Sequence, residues 1–298
     1  MAVGTAFGAA LGGAIAVAAP LIGAIAVDAA TLLGLNVSLW LVSLLLGKTW
    51  PVDFIWSLWP PAQCLAILVR GAVVCRRTVL VCTLTVTWGW RLTHNFVARG
   101  GIGHEDWRYA AMRQQFGRHF WWVSLFSVFL GQTVFLFAAC LSLYFALGNS
   151  SPLSAVDLVA TAVTAGAILL EAIADVQMDW HIQARREKRT DATVLRSGLW
   201  AWSRHPNYLG ELSFWWGLWL FGAPIAPRWA LCAPSAITFL FVGISVKLLE
   251  DRQLENKGES YRLYQREVPS ALLLVPPPLG RALGGWMYGP APRAKEMR

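Results

Sequence analysis

The chain has 298 residues, 56% of them hydrophobic and only 14% charged, with 17 Trp, a net charge of +8 and a mean hydropathy of +0.49. Soluble domains carry about 25% charged residues, so this composition excludes an ordinary soluble fold and indicates an all-α, polytopic membrane helical bundle. In that setting the positive charge reads as basic loops on one membrane face rather than as a nucleic-acid surface.

In chain order, Ala6–Val27 is long enough to span and ends at Asp28. It lacks the basic start of a signal peptide and reads as a retained helix, whose Gly8, Gly12 and Gly13 suit close packing. A second apolar run covers Thr31–Leu46. Lys48, Pro51, Asp53 and Pro60–Pro61 interrupt before apolar character resumes to about Val74, and Arg76 and Arg77 precede the run Thr78–Trp90. Phe126–Leu147 and Leu153–Ala174 are clear spans joined by the polar turn GNSSP; Leu212–Ala226 and Trp229–Leu249 form the last pair. The total is roughly seven to eight spans. The five cysteines, Cys64, Cys75, Cys82, Cys140 and Cys232, show no zinc-type pairing and read as small core hydrophobes, with no metal site.

Three segments are basic: 91–119, 181–206 and the tail after Glu250. Two spans separate each from the next, so all three share one face, which the positive-inside rule makes cytosolic. Asn149 of NSS then faces the other side, where a glycan could attach. The tail VPPPLGRALGGWMYGPAPRAKEMR is rich in Pro and Gly and is expected to be loosely ordered.

The polar residues at the basic face are the candidate site. In WSRHPNYLGE, 202–211, Pro206 suits a first helical turn, and Asn207 and Glu211 then share a face at i and i+4. Glu211 lies about a turn inside the span, where an unpaired carboxylate costs several kcal/mol. An interfacial anchor would explain Arg204, His205 and Tyr208 equally well, but not Glu211. Glu171 and Asp175 recur at i and i+4 near the basic end of their span, either facing the bundle interior or pairing with Arg185 or Arg186. Residues 91–109 hold Gly100, Gly101 and Gly103 with Arg91, Arg99 and Arg108, either an anion grip or a solvated basic loop. Residues 247–269 read as an amphipathic helix.

The stretch GLWAWSRHPNYLGELSFWWG, with WGWRL, GHEDWRY and EAIADVQ, resembles the steroid 5-alpha-reductase C-terminal-like membrane family, in an uncharacterised branch. It is similar to sterol reductases and, more distantly, to isoprenylcysteine carboxyl methyltransferases. The resemblance covers about 50–278, which sets expected boundaries of 1–50 for N-terminal spans, 51–278 for a reductase-like domain and 279–298 for a flexible tail. It implies a cytosol-facing cofactor pocket and NADPH-dependent reduction of a carbon–carbon double bond in a steroid- or lipid-like substrate, in the endoplasmic reticulum membrane, with a bacterial inner membrane as the alternative. Asn207 and Glu211 match the reductases' NADPH contacts; Arg204, His205 and Tyr208 belong to the same shell, and Asp175 and Arg252 are further contributors by resemblance. The chain departs from the steroid reductases in having THNF where a Tyr is expected and no Gln–Glu pair, which leaves Glu171, Tyr109 and Asp53 as acid candidates by position. The alternatives are S-adenosylmethionine-dependent lipid or isoprenylcysteine methylation, and a non-catalytic lipid-binding relative.

Overall fold

A computed structural model describes residues 2–288, with side chains over 20–287. The chain is 80% helical and has no strand among the described residues. Its helices are α1 (Ala2–Leu46), α2 (Asp53–Val69), α3 (Arg76–Ala98), α4 (Trp107–Phe116), α5 (Phe120–Ser124), α6 (Gly131–Gly148), α7 (Ala155–Arg186), α8 (Pro206–Gly222), α9 (Cys232–Thr238), α10 (Val246–Lys257), α11 (Glu259–Glu267) and α12 (Pro277–Tyr288). Single π-helical segments, Leu125–Leu130 and Phe239–Ser245, join α5 to α6 and α9 to α10.

Among the described residues, five stretches are long and apolar enough to cross a bilayer: Pro20–Leu46, Trp50–Val69, Trp107–Gly148, Ala155–Arg186 and Arg228–Lys257. The count falls below the expected seven to eight for two reasons. The Arg, Thr, His and Asn residues of α3 dilute its apolar character, and α8 has only 17 residues. The break expected at Asp28 is absent as well. That carboxylate is buried within α1 and ion-paired with Arg70, so the helix carries its charge without ending. The beginning of the first expected span, with Gly8, Gly12 and Gly13, lies outside the described side chains.

The chain forms two compact units, Met1–Ala72 with Trp88–Leu141, and Val73–Thr87 with Ser142–Arg298. In the first, α2 runs straight through Pro60 and Pro61. Pro61 has no N–H for the Ser57 carbonyl, and Gly89 of α3 packs on that turn: a Cβ there would sit 2.5 Å from Ser57 O and 2.9 Å from Pro61 Cγ. Glu105 fastens the α1–α2 connection by accepting from the backbone N–H and hydroxyl of Thr49 and, at 3.1 Å, from Arg113.

In the second unit, buried Arg77 grips Asp157 through Nε at 2.6 Å and Nη2 at 2.8 Å, and donates from Nη1 to the carbonyls of Asn149 and Ser151. Asn149 is buried, and its Oδ1 accepts from the Ser151 hydroxyl at 2.7 Å.

Helices α7 and α8 pack through glycines. A Cβ on Gly210 would overlap Glu171 Cγ and lie 3.0 Å from Ala167 O, and one on Gly217 would lie 3.0 Å from Thr164 N; Gly222 packs instead on α6, where a Cβ would lie 2.6 Å from Phe145 Cβ and 2.8 Å from Ala146 N. The tail expected to be loose is helical over Pro277–Tyr288 because Gly280 and Gly284 lie against the α11 backbone. A Cβ at 284 would overlap the Arg266 carbonyl. Residues 289–298 lie outside the described residues.

Gly222→Ala should cost about 1–3 kcal/mol, because backbone rather than a flexible side chain meets the new methyl. Gly166→Ala, with nothing within 4 Å, should be neutral or stabilising. Thermal unfolding of both variants in detergent checks this; equal melting points would refute the backbone contact at 222.

Candidate functional site

Pro206 opens α8 as its first residue, where the missing N–H removes no helical bond. The preceding residues are anchored to the segment 268–275. Arg204 N donates to Ser270 O at 3.1 Å, His205 N to Ala271 O at 2.9 Å, and Val275 N to Trp202 O at 2.9 Å.

The side chains of Arg204 and His205, 8% and 3% exposed, converge on Glu250 of α10. Arg204 Nε donates to Glu250 Oε1 at 2.9 Å and His205 Nε2 lies 2.6 Å from the same oxygen. Tyr261 Oη donates to it at 2.8 Å, and Gln265 Nε2 donates to Oε2 at 2.5 Å. The Arg204 Nη1 group is occupied by the carbonyls of Val268 and Pro269, each at 2.7 Å. Burial, and then the Glu250 carboxylate, hold the Tyr261 phenol well above its usual pKa, so it remains a donor at neutral pH. Tyr264 is raised too, chiefly by burial, and donates to Trp200 O at 2.6 Å.

Beyond this cluster the motif faces another way. Asn207 is half-buried and its amide makes no hydrogen bond among the described residues. One turn on, Glu211 is 5% exposed and accepts from Trp215 Nε1 at 3.0 Å. Glu171 of α7, 3% exposed, runs across Gly210, the residue before Glu211. Asp175 is half-buried one turn along α7 from Glu171. Tyr208 stacks on His205 with ring centroids 5.6 Å apart and meets Phe241 edge-on at 4.8 Å. Arg252 is half-buried on α10, two positions from Glu250.

The same unit holds a cavity of about 520 Å³ lined by residues 190–197, His181 and Ser260. His181 Nε2 is buried there without a hydrogen-bond partner among the described residues. Thr190, Thr193, Ser197 and Ser260 bring hydroxyls, and Arg196 a guanidinium that donates to Glu267 at 3.0 Å.

In the first unit the structure brings together two of the acid candidates. Tyr109 Oη donates to Asp53 Oδ1 at 2.7 Å, and Gln132 Nε2 donates to Tyr109 Oη at 3.3 Å. Asp53 also lines a cavity of about 300 Å³ with Asn95, Arg99 and His104. Sequence reading missed Glu250, Gln265 and His181. Glu250 could have been found as a carboxylate at the end of an apolar span, which requires a cation, beside a motif offering two.

Arg204→Met should destabilise the fold by about 3–5 kcal/mol by stranding the buried Glu250 carboxylate. Tyr261→Phe, which removes one of several donors, should cost about 1 kcal/mol. Thermal unfolding would contradict the cluster if the two losses were equal.

The family described as "Protein of unknown function (DUF1295)" matches residues 39–268. An uncharacterized protein of Schizosaccharomyces pombe, C594.04c, is 30% identical over 259 residues, covering 77% of this chain and 74% of that protein. A protein-S-isoprenylcysteine O-methyltransferase of Tribolium castaneum is 30% identical over 91 residues, 30% of this chain and 31% of that one. No solved structure matches the chain significantly. The chain is a member of the DUF1295 family, which is related to steroid 5-alpha-reductase-like proteins.

Proposed function

We propose that the protein is a membrane-embedded, NADPH-dependent reductase of a carbon–carbon double bond in a steroid- or lipid-like substrate. The observation that carries this reading is the unengaged Asn207 amide, one helical turn from buried Glu211. A side-chain amide both donates and accepts, which complements the carboxamide of nicotinamide. Arg204 and His205 then serve by fixing the α8 start through Glu250 rather than by touching the cofactor. The cavity at 190–197 fits the phosphate-bearing end, because it combines hydroxyl donors, Arg196 and the unpartnered His181 Nε2. When bound, NADPH supplies hydride to the beta carbon of a double bond conjugated to a carbonyl. The chain supplies the proton, and each unit has a candidate: Tyr109 through Asp53 in the first, and Glu171 in the second. Asp175, Tyr208 and Arg252 are further cofactor contacts on this reading.

The membrane arrangement follows the same logic. With α3 and α8 also inserted, the spans number seven, and the basic segments 187–205 and the one after Lys257 fall on one side, the cytosol of an endoplasmic reticulum membrane.

A second reading, S-adenosylmethionine-dependent methylation of a lipid or prenylated cysteine, is favoured by the Tribolium methyltransferase similarity. It leaves the 190–197 cavity unexplained, since S-adenosylmethionine carries no phosphate.

Mass spectrometry of small molecules released from detergent-purified protein tests the choice. NADP should be recovered from the wild type and lost from Asn207→Ala, whose melting point should be unchanged without cofactor because that amide holds nothing in the fold. Recovery of S-adenosylmethionine or its demethylated product would overturn the reductase reading. The proton donor is the residue whose substitution, Tyr109→Phe or Glu171→Gln, stops turnover while NADP binding persists.

A further inference from the structure

The C-terminal helix α12 has three faces with different surroundings. Gly280 and Gly284 are buried against the α11 backbone, at Glu267 O and Arg266 O. At 100° per residue, Leu279, Leu283, Trp286 and Met287 form one stripe, and all four are exposed, Trp286 to 85%. Arg281 projects on the opposite side and is also exposed. Nothing else among the described residues covers the stripe.

We propose that α12 lies in the plane of the bilayer interface, with its Leu279–Leu283–Trp286–Met287 stripe seated among lipid acyl chains and headgroups. Three observations favour lipid as the occupant. The helix is continuous with the membrane-crossing body: α11 follows the last membrane-length stretch, Arg228–Lys257, after Gly258, and α12 packs on α11. The stripe pairs aliphatic residues with a Trp, the side chain suited to the headgroup level. The opposite face carries Arg281, and the sequence beyond the helix adds Arg293, Lys295 and Arg298, charges that complement anionic headgroups.

The placement has a mechanical consequence. The segment linking α11 to α12 is the one that accepts from Arg204 N, His205 N and the Ser203 hydroxyl, and Val275 donates back to Trp202 O. Lipid seating of α12 therefore fixes the segment against which α8 begins. This holds whatever chemistry the α8 face performs, and it is tested without reference to activity.

The test uses the full chain, one copy per nanodisc of mixed phosphatidylcholine and phosphatidylserine. Single cysteines are introduced by Leu283→Cys, Trp286→Cys or Arg281→Cys on a background in which the five native cysteines are replaced, and are labelled with a membrane-impermeant maleimide. Cysteines at 283 and 286 should lose most of their labelling relative to 281 and regain it on denaturation. Equal labelling at all three positions would overturn the proposal, and so would protection that appears only when several copies share a membrane, because a second copy would then be the occupant. A measurement that keeps the native cysteines guards against misfolding of that background. Lipids brominated near the headgroup should quench wild-type fluorescence more than that of Trp286→Phe, and equal quenching would count against lipid seating.

Discussion

The buried charge at Glu250 is the constraint around which the second unit is arranged. A carboxylate at the end of a membrane-length helix cannot stand alone, and here Arg204, His205, Tyr261 and Gln265 all converge on it. These four partners come from the α8 start and from α11. Glu250 therefore gathers three separate chain segments at one point, and the Arg204 contacts to the Val268 and Pro269 carbonyls add a fourth. Removing the acid would leave the Arg204, His205, Tyr261 and Gln265 groups that meet on it to be satisfied otherwise.

The same constraint sets the partners along the WSRHPNYLGE motif. Arg204 and His205 bond to Glu250 of α10, whereas Glu211, past Pro206, accepts from Trp215 within α8. The difference follows from helix geometry. Residues just before Pro206 lie outside the helix, bonded to the 268–275 segment, whereas residues after it turn through 100° each, so two positions suffice to change partners. Gly210 then leaves room for the Glu171 side chain of α7, a second buried carboxylate in the same unit.

The helical membrane fold was legible because apolar runs and the scarcity of charge operate over long windows. The site was legible only in part. The spacing of Asn207 and Glu211 on one face, the first-turn position of Pro206 and the burial of Glu171 follow from local periodicity, and the structure has them. The partners do not follow from it: Glu250 lies 46 residues from Arg204, and Asp53 lies 56 residues from Tyr109. Such pairings depend on tertiary packing that no window of sequence contains. The errors have the same origin. Asp28, Pro60 and Pro61 look like breaks in the sequence because their local cost is visible, while the Arg70 partner and the Gly89 contact that accompany them in the fold are remote.

The tail shows the converse error, in which a sequence rich in glycine is read as loose when the glycines are a packing device. Gly280 and Gly284 cost helix propensity, yet a side chain at 284 would collide with the Arg266 carbonyl, so only glycine permits the contact. The same trade recurs at Gly210 and Gly217 along α7–α8 and at Gly222 against α6. Where lipid surrounds a protein, burial of apolar surface between helices gains little, and close backbone approach and buried polar pairs carry the specificity instead. The glycine seams and the Glu250 cluster are thus two answers to one problem. Glycines set how near the helices come, and the carboxylate sets which segments meet; the Asn207 amide stays unspent because neither task requires it.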